Sequence, residues 1–136
     1  MTRSETLGYA LTQRAELWKD HGLYEPAISD YRGAMKLYPQ APISHNNFAW
    51  IIATREVPNR KKLQQEALAA AERAVAIART PNYLDTLACV YALMGNFPQA
   101  IKIQSEAVAE AQGNSSFQER LNLFTSPKPR DCTGAK

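Results

Sequence analysis

The chain has 136 residues, 21% of them charged and 45% apolar, with a net charge of +3. That length gives one domain with room for a continuous core, and so mild a charge weighs against a nucleic-acid binder, which concentrates a larger basic excess on one face. No stretch approaches the ~18 apolar residues of a membrane span, and Met1 to Ala10 carries Arg3, Glu5 and polar residues where a secretory signal would be apolar.

In chain order, Leu7, Leu11, Ala15 and Trp18 form one apolar face of a helix over about Glu5 to His21, which Gly22 stops. Ala27, Ile28, Tyr31, Ala34, Met35 and Tyr38 continue as a second amphipathic helix, with Pro26 in its first turn and Pro39 and Pro42 after it. Ser44 to about Thr54 is a third helix, with Phe48, Ala49, Ile51 and Ile52 inward. Asn59 is placed to cap a fourth, running to about Arg79 around Ala67, Ala71, Ala74 and Ala78. Asn82 to Met94 is the fifth, closed by Gly95, and about Pro98 to Gln112 the sixth. Ser115 or Ser116 caps a short last helix bearing Phe117, Leu121 and Phe124. From Ser126 onward almost nothing is apolar, so residues 126–136 are expected to be a disordered tail. No alternation of the strand type occurs, and the fold class is all-α.

One pattern recurs three times. Gly22-Leu23-Tyr24-Glu25-Pro26-Ala27-Ile28 returns as Gly95-Asn96-Phe97-Pro98-Gln99-Ala100-Ile101, each with a second alanine seven residues on, Ala34 and Ala107; Ala67 and Ala74 repeat the interval without the glycine. Each of these helices follows one with its own small residue and a large one three further on: Ala15 with Trp18, Ala49 with Ile52, Ala88 with Tyr91. This resembles the tetratricopeptide repeat, with Pro39 matching the proline that closes a repeat. Ala15 to Ala27 and Ala88 to Ala100 span twelve residues and Ala49 to Ala67 eighteen, similar to a bacterial variety of the repeat with an expanded middle turn. The resemblance implies an α-solenoid of three helical hairpins, at about 8–41, 42–80 and 81–113. A capping helix at about 115–125 completes a single domain over 5–125 that can fold alone.

The resemblance further implies a protein-interaction module or adaptor that binds a peptide or a helix in the concave groove lined by the first helix of each hairpin. Carried over by position, that groove presents Thr12, Gln13 and Glu16, then Asn46, Asn47 and Trp50, then Asn82, Asp85, Thr86 and Cys89. Asparagine amides pair with extended backbone, and Trp50 either offers a rigid contact or covers the expanded turn. Chaperone-binding members grip a carboxylate with basic groove residues; only Asn47 matches that motif, and Thr12, Asn82 and Thr86 hold the basic positions, so no such clamp is expected.

Arg60, Lys61 and Lys62 begin a helix whose positive end favours anions, which makes them either an anion contact or, more commonly, a solvated cluster. A nucleic-acid-binding solenoid using these residues and the basic tail, and a self-associating scaffold or homo-oligomer, are the alternatives to the groove. The catalytic inventory is thin. His21 and His45 lack metal-ligand spacing, no phosphate-loop or dinucleotide motif occurs, and Cys89 is read as a structural thiol before a nucleophile. No enzyme, cofactor or metal is therefore expected. Cys89 and Cys132 are both taken as reduced, which for a chain not trimmed from a longer precursor points to the cytoplasm.

Overall fold

The computed structural model describes residues 1–135; Lys136, the last residue of the tail, lies outside them. Seven helices and no strand occur among the described residues: α1 Arg3–Asp20, α2 Tyr24–Leu37, α3 Pro42–Thr54, α4 Arg60–Ile77, α5 Pro81–Leu93, α6 Phe97–Glu110 and α7 Ser115–Thr125. They pack as consecutive hairpins, α1 on α2, α3 on α4 and α5 on α6; α2–α3, α3–α5 and α4–α5 contacts join the hairpins, and α7 lies on α6.

The repeated alanines lie inside this packing. Ala15, Ala27, Ala49, Ala67, Ala88 and Ala100 are all fully buried. Two helices approach most closely where both carry a side chain no larger than a methyl group, and Phe48, Ile52, Leu84 and Tyr31 fill the grooves beside those points. Gly22 (φ 73°) and Gly95 (φ 80°) end α1 and α5 in the left-handed conformation. The hydrogen bonds repeat as well: the Leu23 and Gly22 amides donate to the Trp18 and Lys19 carbonyls, and the Asn96 and Gly95 amides to those of Tyr91 and Ala92. Both ends are therefore the same glycine cap.

The middle hairpin solves its turn differently. Asn59 takes the left-handed conformation (φ 60°) and makes no side-chain cap, contrary to the expected role. Val57, buried, plugs the longer connection. At the last hairpin Asn114, rather than Ser115 or Ser116, caps α7 by accepting from the Phe117 amide. Leu7, expected inside, is half-exposed. The neighbouring Gly8 faces the end of α2, where a Cβ would come within 2.8 Å of the Tyr38 Cβ.

His45 is buried at the start of α3, with its Nε2 2.9 Å from the Pro39 carbonyl oxygen. Burial holds its imidazole below the ordinary 6.5, partly offset by that bond. As pH falls through 6.5 the unfolded chain therefore takes up the proton first, and stability present above that pH is lost toward the depressed folded value. Between about pH 7 and 5.5 the melting temperature of His45→Gln should fall less than that of wild type, as thermal melts at the two pH values would show.

The tail departs most from expectation. Residues 126–135 are not free: Cys132 is buried and forms a disulfide with Cys89, at a sequence separation of 43. The Gly134 amide donates to the Thr54 carbonyl at 2.7 Å, and the Arg55 guanidinium donates to the Ala135 carbonyl. The backbone bond contributes only about 0.5–1.5 kcal/mol and the one from the charged guanidinium about 1.5–3 kcal/mol. Ordering the segment costs about 1–2 kcal/mol per residue in backbone entropy alone. The disulfide is the covalent tie between the tail and the stack, a feature that polar composition does not reveal.

Candidate interaction groove

The inner surface of the stack is built by one stripe from each first helix. Glu16 and Lys19 lie on α1, Asn46, Asn47 and Trp50 on α3, and Asn82, Asp85, Thr86 and Cys89 on α5, at the spacings of three and four that share a helix face. Lys19 and the residues of α3 and α5 down to Thr86 converge, with Phe117 and Arg120 of α7, on a polar cavity of about 360 Å³. Asn46 Nδ2 donates to Asn47 Oδ1 (3.1 Å), and Asn47 Nδ2 to Glu16 Oε1 (3.3 Å), so the amides and the carboxylate form one chain of bonds from α3 to α1. Asn82 and Gln13 are exposed.

Four of the residues placed in the groove are engaged inside the fold. Thr12 is buried and donates to the Gly8 carbonyl of its own helix (3.0 Å). Thr86, also buried, donates to the Asn82 carbonyl (3.2 Å). Asp85 accepts from Arg120 Nε and Nη2, both at 2.7 Å, and from Gln104 Nε2 at 2.8 Å. Gln104 also donates to the Phe117 carbonyl (3.0 Å). A buried carboxylate satisfied in this way holds α7 against α5 and α6 rather than a partner. Cys89, finally, carries the disulfide and is no free thiol.

Trp50 fits neither expected role alone. Its ring lies under the Arg120 guanidinium, 5.2 Å from the centroid, while its half-buried edge lines the cavity. Lys19 and Arg120 were absent from the sequence-derived set. Lys19 continues the Thr12–Glu16 stripe and was legible in principle; Arg120 comes from the capping helix, which repeat arithmetic does not aim.

The cation cluster divides. Arg60 Nε and Nη2 donate to the Ile52 and Ala53 carbonyls at 2.7 Å each, which satisfies the last turn of α3. A cation at the start of α4 is thus explained by the negative end of α3 lying beside it, and Arg60 is not available to an anion. Lys61 and Lys62 are exposed.

Comparison with solved structures bears on the fold. The N-terminal domain of stress-induced protein-1 from C. elegans superposes with a TM-score of 0.68 at 13% identity, over 93% of this chain and 100% of that one. A thermophilic tetratricopeptide-repeat protein from Thermus thermophilus gives 0.62 at 20% identity over 89% of this chain, and the match spans 61% of that protein. The fold is that of the tetratricopeptide repeat. No protein-family model and no curated protein sequence matches the chain. The all-α solenoid of helical hairpins expected from the repeated alanines is the architecture found, and no described helix is long and apolar enough to cross a membrane.

Proposed function

We propose that this tetratricopeptide-repeat chain is a protein-interaction module that takes an extended peptide segment along its inner surface. One observation supports this above the others: the chain's own tail already docks between α5 and α3, with Cys132 bonded to Cys89 and, through a turn over Cys132–Ala135, the Gly134 amide donating to the Thr54 carbonyl and Arg55 to the Ala135 carbonyl. A surface that accepts main-chain hydrogen bonds from one peptide segment has polar groups to offer another. The open cavity beside the tail offers the Asn46 and Asn47 amides, Asn82, Lys19 and the edge of Trp50 to a partner's backbone. Its rigid helical walls lose little freedom on binding.

The test is a peptide-display selection against the full chain, followed by titration of enriched peptides into wild type and Asn47→Ala/Asn82→Ala. The double variant should bind about tenfold more weakly, equivalent to about 1.4 kcal/mol, with a melting temperature lowered by no more than a few degrees through the lost Asn47–Glu16 bond. Equal binding to both proteins would exclude the groove.

The nucleic-acid alternative loses Arg60 to α3, which leaves it two lysines and the tail; steep salt dependence of oligonucleotide binding would be its signature. Self-association is decided by mass in solution. The cytoplasmic location expected from free thiols loses its basis in the disulfide, which points to an oxidising compartment for the locked form.

A further inference from the structure

We propose that the Cys89–Cys132 disulfide is a reducible latch on the groove: oxidised, it pins the tail across the inner surface; reduced by a dithiol, it lets the tail go. The consequence for partner binding rests on the peptide-groove reading above, whereas the opening itself does not.

The bond acts on the tail and not on the stack. α7, the element that precedes the tail, is held independently by the Asp85–Arg120 pair, by Gln104 and by buried Phe117 and Phe124. Beyond Ser126, Pro127 and Pro129 have no amide to donate, and the Arg130 amide reaches only back to the Leu123 carbonyl in α7. Among the described residues, contacts from the tail to the rest of the solenoid are the disulfide, the Gly134–Thr54 hydrogen bond, the Arg55–Ala135 hydrogen bond and the packing of Cys132 and Ala135. Without the covalent bond those contacts do not offset the freedom the tail regains.

What the tail covers is the continuation of the cavity. Cys89 follows Asp85 by one helical turn and Thr54 follows Trp50 by one turn, so the tail seals the half of the groove next to the open one. A tethered segment excludes a competitor from that half for as long as the tether lasts. The chemistry needs only an external dithiol. Its thiolate attacks one sulfur of the Cys89–Cys132 bond, the other sulfur leaves as a thiolate and takes a proton, and the reductant's second thiol resolves the mixed disulfide. Two electrons pass to the protein, which gains two thiols, and the reductant becomes a disulfide. Both protein sulfurs are buried, so attack follows a local opening of the tail, the segment with the fewest anchors.

Hydrogen exchange of the full chain, with and without dithiothreitol, tests the latch, alongside Cys132→Ser as a variant that cannot close it. Reduction should raise exchange across residues 130–135 by about tenfold or more, with Gly134 as the reporter, and should expose Cys89 to a maleimide. Protection in α1 to α7 should persist, and Cys132→Ser should behave like the reduced protein. A Gly134 amide that stays protected after complete reduction overturns the latch, because the tail then docks without the bond. Loss of protection throughout the helices also overturns it, because the bond is then a staple of the fold. Enriched peptides titrated into the same oxidised and reduced samples judge the groove separately; a tail that opens without any gain in peptide binding counts against the groove and not against the latch.

Discussion

Asp85→Ala should lower the stability of the stack by about 3–5 kcal/mol, because it strands a buried guanidinium without its carboxylate. At this chain length that corresponds to a fall in melting temperature of roughly 10–20 °C. The Asp85 and Arg120 side chains are 5% and 10% exposed, and the carboxylate accepts three short hydrogen bonds from α6 and α7. Removing the acceptor also leaves Gln104 Nε2 with only the Phe117 carbonyl. The penalty belongs to the unpaired charge and not to the pair as such. Asp85→Leu combined with Arg120→Met, which replaces both charges by apolar groups, should therefore recover most of the loss in a thermal melt. A double variant as unstable as Asp85→Ala would mean that the ion pair itself, and not the absence of a stranded charge, holds α7 in place.

Ala100→Leu should cost about 1–3 kcal/mol through overpacking where α6 crosses α5. Ala100 is fully buried on α6, which packs against α5, whose Ala88 is equally buried, and three added carbons would have to be accommodated in that buried contact. Ala109→Leu on the exposed side of the same helix is the control and should change stability by less than about 0.5 kcal/mol. If chemical denaturation gave equal losses for the two, helix propensity rather than interhelical spacing would govern the site.

Most of the architecture is legible in the sequence. The nine alanines at repeat positions are all buried between the packed helices, and Gly22 and Gly95 share one cap geometry because both close a helix at the same repeat position. The expanded middle turn was visible as an eighteen-residue spacing, although its left-handed residue proved to be Asn59 acting through its backbone. The inner surface was legible only as a stripe. Asn46, Asn47, Trp50 and Asn82 do line a cavity, yet Thr12, Thr86 and Asp85 share the periodicity while spending their polar atoms inside the fold. Periodicity reports which way a side chain points and is silent about whether another segment already stands there.

The sequence by itself determined the helices, their pairing and the small residues that set their spacing. Each of these is a local matter, decided by a repeating burial pattern along one helix or between two neighbours in the chain. Only the tertiary structure decided that Arg60 closes α3, that Arg120 satisfies Asp85 and covers Trp50, and that Cys132 returns to Cys89 with the tail laid across the groove. The last two link residues separated by 35 and 43 positions. Such contacts are chosen by where the capping helix aims the chain after the solenoid has stacked, and no pattern of a few residues records that direction.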